Sequence, residues 1–82
     1  MKIKVKLIGR YNTVAGKKSL QLDIKDGDTL RDVVDAFVKR YPETVKDKKF
    51  MIVSKNKTFA TFETPVVEGD EVILSPPVVS GG

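Results

Sequence analysis

The residues of this chain whose types could do chemistry stand together at one end, in Ser75-Pro76-Pro77-Val78-Val79-Ser80-Gly81-Gly82. Cysteine and histidine are absent from the sequence. Disulfides, thiol nucleophiles, Cys/His zinc sites and an imidazole base are therefore excluded, leaving hydroxyls, carboxylates, lysines and the terminus. Pro76 and Pro77 cannot donate to a sheet ladder and hold the backbone extended, so they are expected to close a strand and aim an arm outward. Gly81 and Gly82 carry no side chain. Such an arm fits a channel too narrow for any other residue, and the group it delivers is the α-carboxylate. A loosely ordered terminus would have the same composition. The body that carries the arm has to decide between the two.

That body is small. Its 82 residues make one domain near the size at which a single core is just sufficient, with little room for a buried catalytic cleft. The expected division is a folded domain over residues 1–75 and an extended tail over 76–82, mobile from Val78 onward. No apolar run reaches the length of a signal peptide or a membrane span, so the expected compartment is the cytoplasm, with no membrane partner. Fifteen basic and 11 acidic groups give a net charge of +4. An excess of that size is compatible with a nucleic-acid or acidic-protein partner, but is more often a solvated surface.

The elements that must position the arm follow from periodicity. Lys2 to Leu7 alternates strictly, with Ile3, Val5 and Leu7 on one face and Lys2, Lys4 and Lys6 on the other, which is a strand with one buried side. Leu20, Leu22 and Ile24 repeat the pattern as a hairpin partner, after a polar loop of about seven residues containing Asn12 and Gly16. Asp26-Gly27-Asp28 is a turn. Thr29 with Asp32 approximates a capping box for a helix beginning at Leu30. Leu30, Val33, Val34, Phe37, Val38 and Tyr41 make one apolar stripe along it, and Pro42 stops it.

After a charged loop from Pro42 to Lys49, Phe50 to Val53 and Thr58 to Phe62 read as two short strands around the turn-prone Lys55-Asn56-Lys57. Val72-Ile73-Leu74, without polar interruption, suits a central strand. One helix with one apolar stripe covers one face of one sheet. The expected class is α+β, with the first and last strands parallel at the centre of a mixed four- to five-stranded sheet curled around the helix.

With these elements placed, the sequence resembles the β-grasp ubiquitin-like families. It is most similar to the sulfur carriers of the molybdopterin-synthase small-subunit and thiamine-pathway type. The matching stretches, in order, are Asp26 to Val33 entering the helix, Glu68-Gly69-Asp70-Glu71-Val72 entering the last strand, and Pro76-Pro77-Val78 before Gly81-Gly82. Two residues, Val79 and Ser80, separate Val78 from the diglycine where such carriers commonly have one, and Ser75 stands where an aromatic is common.

The resemblance implies a carrier rather than a catalyst. Gly82 would be adenylated with ATP by an E1-like enzyme and converted to a thiocarboxylate by a sulfur donor, with Gly81 as its slim neighbour. The recipient would be a synthase large subunit in molybdopterin formation, or thiamine or tRNA thiolation. In the related modifiers the same activated Gly82 is joined to a lysine of a substrate protein. No bound cofactor is expected; the ATP belongs to the partner.

Docking requires a surface as well as a tail. Taking Leu7 and Leu74 as inward, strand parity turns Ile8 and Ile73 outward, and Phe59 joins them from the fourth strand. These three, with Pro76, Pro77 and Val78, are the expected partner contacts. A reading of another class, a nucleic-acid-binding module, rests on Lys2, Lys4 and Lys6 with Lys46, Lys48 and Lys49, lacks interleaved exposed aromatics and gives the diglycine no role.

Overall fold

The computed structural model describes residues 1–77. The expected mobility of the tail from Val78 onward, and the roles expected of Val78, Gly81 and Gly82, lie outside the described residues.

β1 (Lys2–Leu7) alternates exposed and buried residues along its whole length, as its sequence demands. β2 (Ser19–Asp23) pairs antiparallel to it, with Ile3 opposite Leu22 and Val5 opposite Leu20, so that the apolar sets of the two strands share a face. β5 (Glu71–Ser75) lies on the other side of β1 and parallel to it, with Val5 opposite Val72 and Leu7 opposite Leu74. β3 (Ile52–Lys55) runs antiparallel to β5, and the two-residue β4 (Thr58–Phe59) completes the order β2-β1-β5-β3-β4. The expected parallel central pair is present. The sheet is mixed and five-stranded, which is the β-grasp arrangement.

One helix covers its inner face. α2 (Leu30–Arg40) begins at a capping box in which the Thr29 N–H donates to the Asp32 carboxylate at 2.8 Å. Its first free donors find partners in the segment between the fourth and fifth strands: Leu30 N–H donates to the Thr64 carbonyl and Arg31 N–H to that of Phe62. Leu30, Val33, Val34, Phe37 and Val38 are buried against Ile3, Val5, Leu20, Leu22, Val53, Val72 and Leu74. Burial of each such side chain stabilises the fold by about 1.5–3 kcal/mol before its entropy cost is set against it.

Three segments differ from the sequence reading. The polar stretch after β1 is a short helix, α1 (Arg10–Ala15), and not an open hairpin loop. Six residues do not hold a helix in water. Tyr11 holds this one from outside: its side chain is buried, its ring lies 5.3 Å from that of Phe37, and its hydroxyl donates to Asp47 Oδ2 at 2.9 Å. The charged stretch after α2 is a 3-10 helix over Pro42–Asp47, which delivers that buried Asp47. The pair of short strands is briefer than its apolar runs: Phe50 is exposed, β3 starts at Ile52, and β4 ends at Phe59. Asn56 and Lys57 both take positive φ, 51° and 70°, which gives the two-residue turn the twist that a hairpin requires.

Candidate functional site

The outer face of the sheet is made by the residues that alternate with the core. Along β1 it shows Lys2, Lys4 and Lys6, and Ile8 continues the series beyond the strand with 47% of its surface exposed. Registry then builds a row across the sheet. Lys6 is opposite Ile73, Ile73 is opposite Ser54, and Ser54 is opposite Phe59. Phe59 is 86% exposed, a large apolar side chain standing almost free. With Ser54, Lys57 and Ile73 it lines a shallow hollow of about 270 Å³.

The structure therefore brings Phe59 and Ile73 together and sets Ile8 at the end of β1 nearest the tail root, where its N–H donates to the Leu74 carbonyl at 3.1 Å. One member of this face was missed. Ile52 pairs with Ser75 and, half-buried, belongs to the outer face because Met51 and Val53 on either side of it face the core. The unbroken run Phe50-Met51-Ile52-Val53 carries no alternation from which that parity could be read. Pro76 and Pro77 follow β5 directly and are half-buried, and a methyl group on Gly9 would stand 3.6 Å from the Cγ of Pro76.

The charges are divided. Lys2, Lys4 and Lys6 rim the outer face, whereas Lys48 reaches Asp35 of α2 at 2.7 Å, on the helix side of the sheet. The two basic groups on which a nucleic-acid track would depend do not share a surface. On the helix side, Arg31, Val34, Asp35, Lys48, Lys49 and Phe62 surround a groove of about 410 Å³. Arg31 there is held by Glu63 and lies 5.4 Å from the centre of the Phe62 ring.

Perturbed acids mark structural joints. The Arg10 guanidinium beside Asp47 holds its carboxyl below the usual carboxylate range, against the opposing pull of burial, and the Tyr11 hydroxyl adds to the effect. Burial, followed by the hydrogen bond to Asp47, pushes the Tyr11 phenol up. Burial alone would raise the Asp70 carboxyl, yet it is lowered, because the Val67 N–H and the Asn56 amide donate to it and Lys55 lies nearby. None of these groups opens on the outer face. Among the described residues no group of three or more His, Cys, Asp or Glu is placed to hold a metal, and no helix is long and apolar enough to cross a membrane.

This geometry offers a partner an apolar face crossed by the strand that leads to the prolines. Comparison with known proteins places the chain in a family. The model of the ThiS family matches residues 5–82, nearly the whole chain and the diglycine with it. SAMP1 from Haloferax volcanii is 27% identical over all of both chains, with a TM-score of 0.81. The small archaeal modifier protein 1 of Methanosarcina acetivorans is 26% identical over 99% of this chain and 96% of its own, with a TM-score of 0.79. The fold is also found, at 18% identity and a TM-score of 0.64, in a complex of subunits 1 and 2 of molybdopterin-converting factor from Helicobacter pylori, with 99% of this chain and 100% of that one covered. No curated protein sequence matches. The chain belongs to the ThiS family, as a ubiquitin-like carrier or modifier and not as a catalyst in its own right.

Proposed function

We propose that this protein carries sulfur on Gly82. A carboxylate is inert toward sulfur nucleophiles until one of its oxygens becomes part of a good leaving group. An E1-like partner supplies this by joining the carboxylate to the α-phosphate of ATP, with release of pyrophosphate. A sulfur donor then displaces AMP and leaves a thiocarboxylate. The carrier contributes position only, in keeping with a sequence that has no cysteine and no histidine. The observation that carries the reading is the course of β5. It passes through the middle of the exposed apolar face and leads straight into Pro76 and Pro77, so a partner that grips Ile8, Ile52, Phe59 and Ile73 holds the root of the arm. Molybdopterin formation is the first recipient to test, with a synthase large subunit as the second partner. Thiamine and tRNA thiolation come after it.

The likeness to SAMP1 along both full chains favours a second use of the same activated glycine, conjugation to lysines of other proteins. Intact mass of protein purified from its native host separates the two. One oxygen replaced by sulfur is the carrier's signature, and the added mass of a second polypeptide is the modifier's. Pyrophosphate exchange with the cognate activating enzyme tests the shared first step. Wild type should exchange, and deletion of Gly82 or one alanine added after it should abolish exchange. Undiminished exchange by the extended protein, with no trimming back to Gly82, would sink the reactive-terminus reading.

A further inference from the structure

The outer face of the sheet carries its charges unevenly. Lys2, Lys4 and Lys6 of β1 stand on it at every second residue, about 7 Å apart along the strand. All three are exposed, and among the described residues none of them forms an ion pair. Register decides what lies beside each. Lys2 is opposite Asp23 of β2, and Lys4 is opposite Glu71 of β5 and Gln21 of β2. Directly opposed side chains have Cβ atoms about 5 Å apart, so each of these two ammonium groups stands in the field of a carboxylate. Lys6 differs. It is opposite Ser19 on one side and Ile73 on the other. Its neighbours on the same face of its own strand are Lys4, which repels it, and Ile8. The nearest carboxylate by register, Glu71, is one rung back and already opposite Lys4.

Lys6 is also the lysine of β1 that adjoins the apolar row. Ile73 leads on to Ser54 and Phe59 across the sheet, and a further cation, Lys57, joins these three around the hollow. The end of β1 beside Ile8 and Ile73 is thus positive without compensation, whereas its other end is balanced. A partner that covers Ile8 and Ile73 takes water from the Lys6 ammonium at the same time. A charge stripped of water with no counter-charge opposes binding, whereas one that meets a carboxylate fixes register and partner choice. The four-carbon stem of lysine can follow the apolar surface and bring the ammonium to the partner's side.

We propose that Lys6 is a specificity-determining residue of this face, and that the activating enzyme meets it with an Asp or Glu carboxylate beside the apolar area that receives Ile8 and Ile73. The inference rests on the reading of the outer face as the enzyme's docking surface. It adds the chemistry of the partner, an apolar area with an acidic edge on the β1 side. A nucleic acid would use the same lysines differently. Phosphates follow a line of cations, and each lysine would then count about equally.

The test is binding of the full chain to the cognate activating enzyme, without ATP, as a function of salt. Lys2→Gln, Lys4→Gln and Lys6→Gln each remove one charge from an exposed strand position, so all three should melt as wild type does and change the overall field alike. Lys6→Gln should weaken binding about tenfold, between what exposed and buried charge pairs contribute, and should flatten the fall of affinity with salt. Lys2→Gln and Lys4→Gln should stay within about twofold of wild type. Lys6→Glu should lose about a hundredfold, and Lys6→Arg, which keeps the charge, should recover most of what Lys6→Gln loses. A zero-length carbodiimide, which condenses an amine with a touching carboxylate, should join Lys6 to an Asp or Glu of the enzyme, located by peptide mass.

Equal losses from the three Gln variants, no loss from Lys6→Gln, or cross-links at Lys2 or Lys4 with none at Lys6 would each overturn the assignment. So would a mixed-sequence RNA oligonucleotide bound as tightly as the enzyme and weakened alike by all three variants, which gives the lysines to nucleic acid. Wild type that does not bind the enzyme removes the docking surface, and the Lys6 pair with it. Exchange of pyrophosphate that survives loss of Gly82, with binding still dependent on Lys6, removes the reactive terminus and leaves the Lys6 pair standing.

Discussion

The two faces of the sheet are made by the same strands from alternate residues, and they have opposite fates. On one, Ile3, Val5, Leu7, Val72 and Leu74 are sealed under α2. On the other, no helix or strand among the described residues lies above Ile8, Ile52, Phe59 and Ile73, and lysines line the strand beside them. Apolar side chains on both faces gain from leaving water, but the fold satisfies only one set. An apolar surface that a domain of this size leaves open and rims with charge reads as an interface. On the proposed function, stability and recognition are thereby separated onto opposite sides of a layer one residue thick. A substitution should disturb one and spare the other.

The sharpest break of that comparison is Phe37→Ala. Its ring is fully buried between Tyr11 and Tyr41, and its loss should cost about 3–5 kcal/mol in denaturant titration, enough to unfold much of so small a domain. A loss under about 1 kcal/mol would place the core elsewhere.

Next is Asp47→Ala, which strands the buried Tyr11 hydroxyl and should cost about 1–3 kcal/mol. Asp47 also gives the comparison a pH signature. Its folded-state pKa is depressed, chiefly by Arg10, so its contribution is complete above its unfolded value near pH 4 and is lost as pH falls through the lower folded value. Thermal stability of wild type should therefore fall on acidification below about pH 4, and Asp47→Asn should flatten part of that fall. An equal acid loss in the variant would assign it elsewhere.

The smallest effects on stability belong to the open face. Phe59→Ser and Ile8→Lys should each change unfolding free energy by no more than about 0.5 kcal/mol while weakening binding to the activating enzyme. A large drop in melting temperature with unchanged binding would mean that the roles of the two faces had been exchanged.

What could be read in the sequence follows the same division. α2 was legible because a capping box, a single stripe and a proline stop all agreed. β1 and β2 were legible because one of their faces is polar. The central parallel strand followed from an apolar run preceded by a turn. α1 was illegible: Asn12 and Thr13 are poor helix formers, and what fixes the segment is Tyr11 reaching Phe37 and Asp47, partners 26 and 36 residues away. Ile52 was illegible for the opposite reason, since an apolar run with no polar member names no side.

The parallel pairing of β1 with β5 has a consequence for when this protein becomes recognisable. Val5 waits for Val72, so the ribosome must deliver nearly the whole domain before the middle of the sheet can close, and closure between such distant partners is slow. The open face is a mosaic of Ile8 beside β1, Ile52 on β3, Phe59 on β4 and Ile73 on β5. No fragment assembles it. The activating enzyme of the proposed function, if it reads this face, thus inspects the finish of the molecule before spending a nucleotide on it: a chain interrupted before Glu71, or one whose core has opened, presents no address.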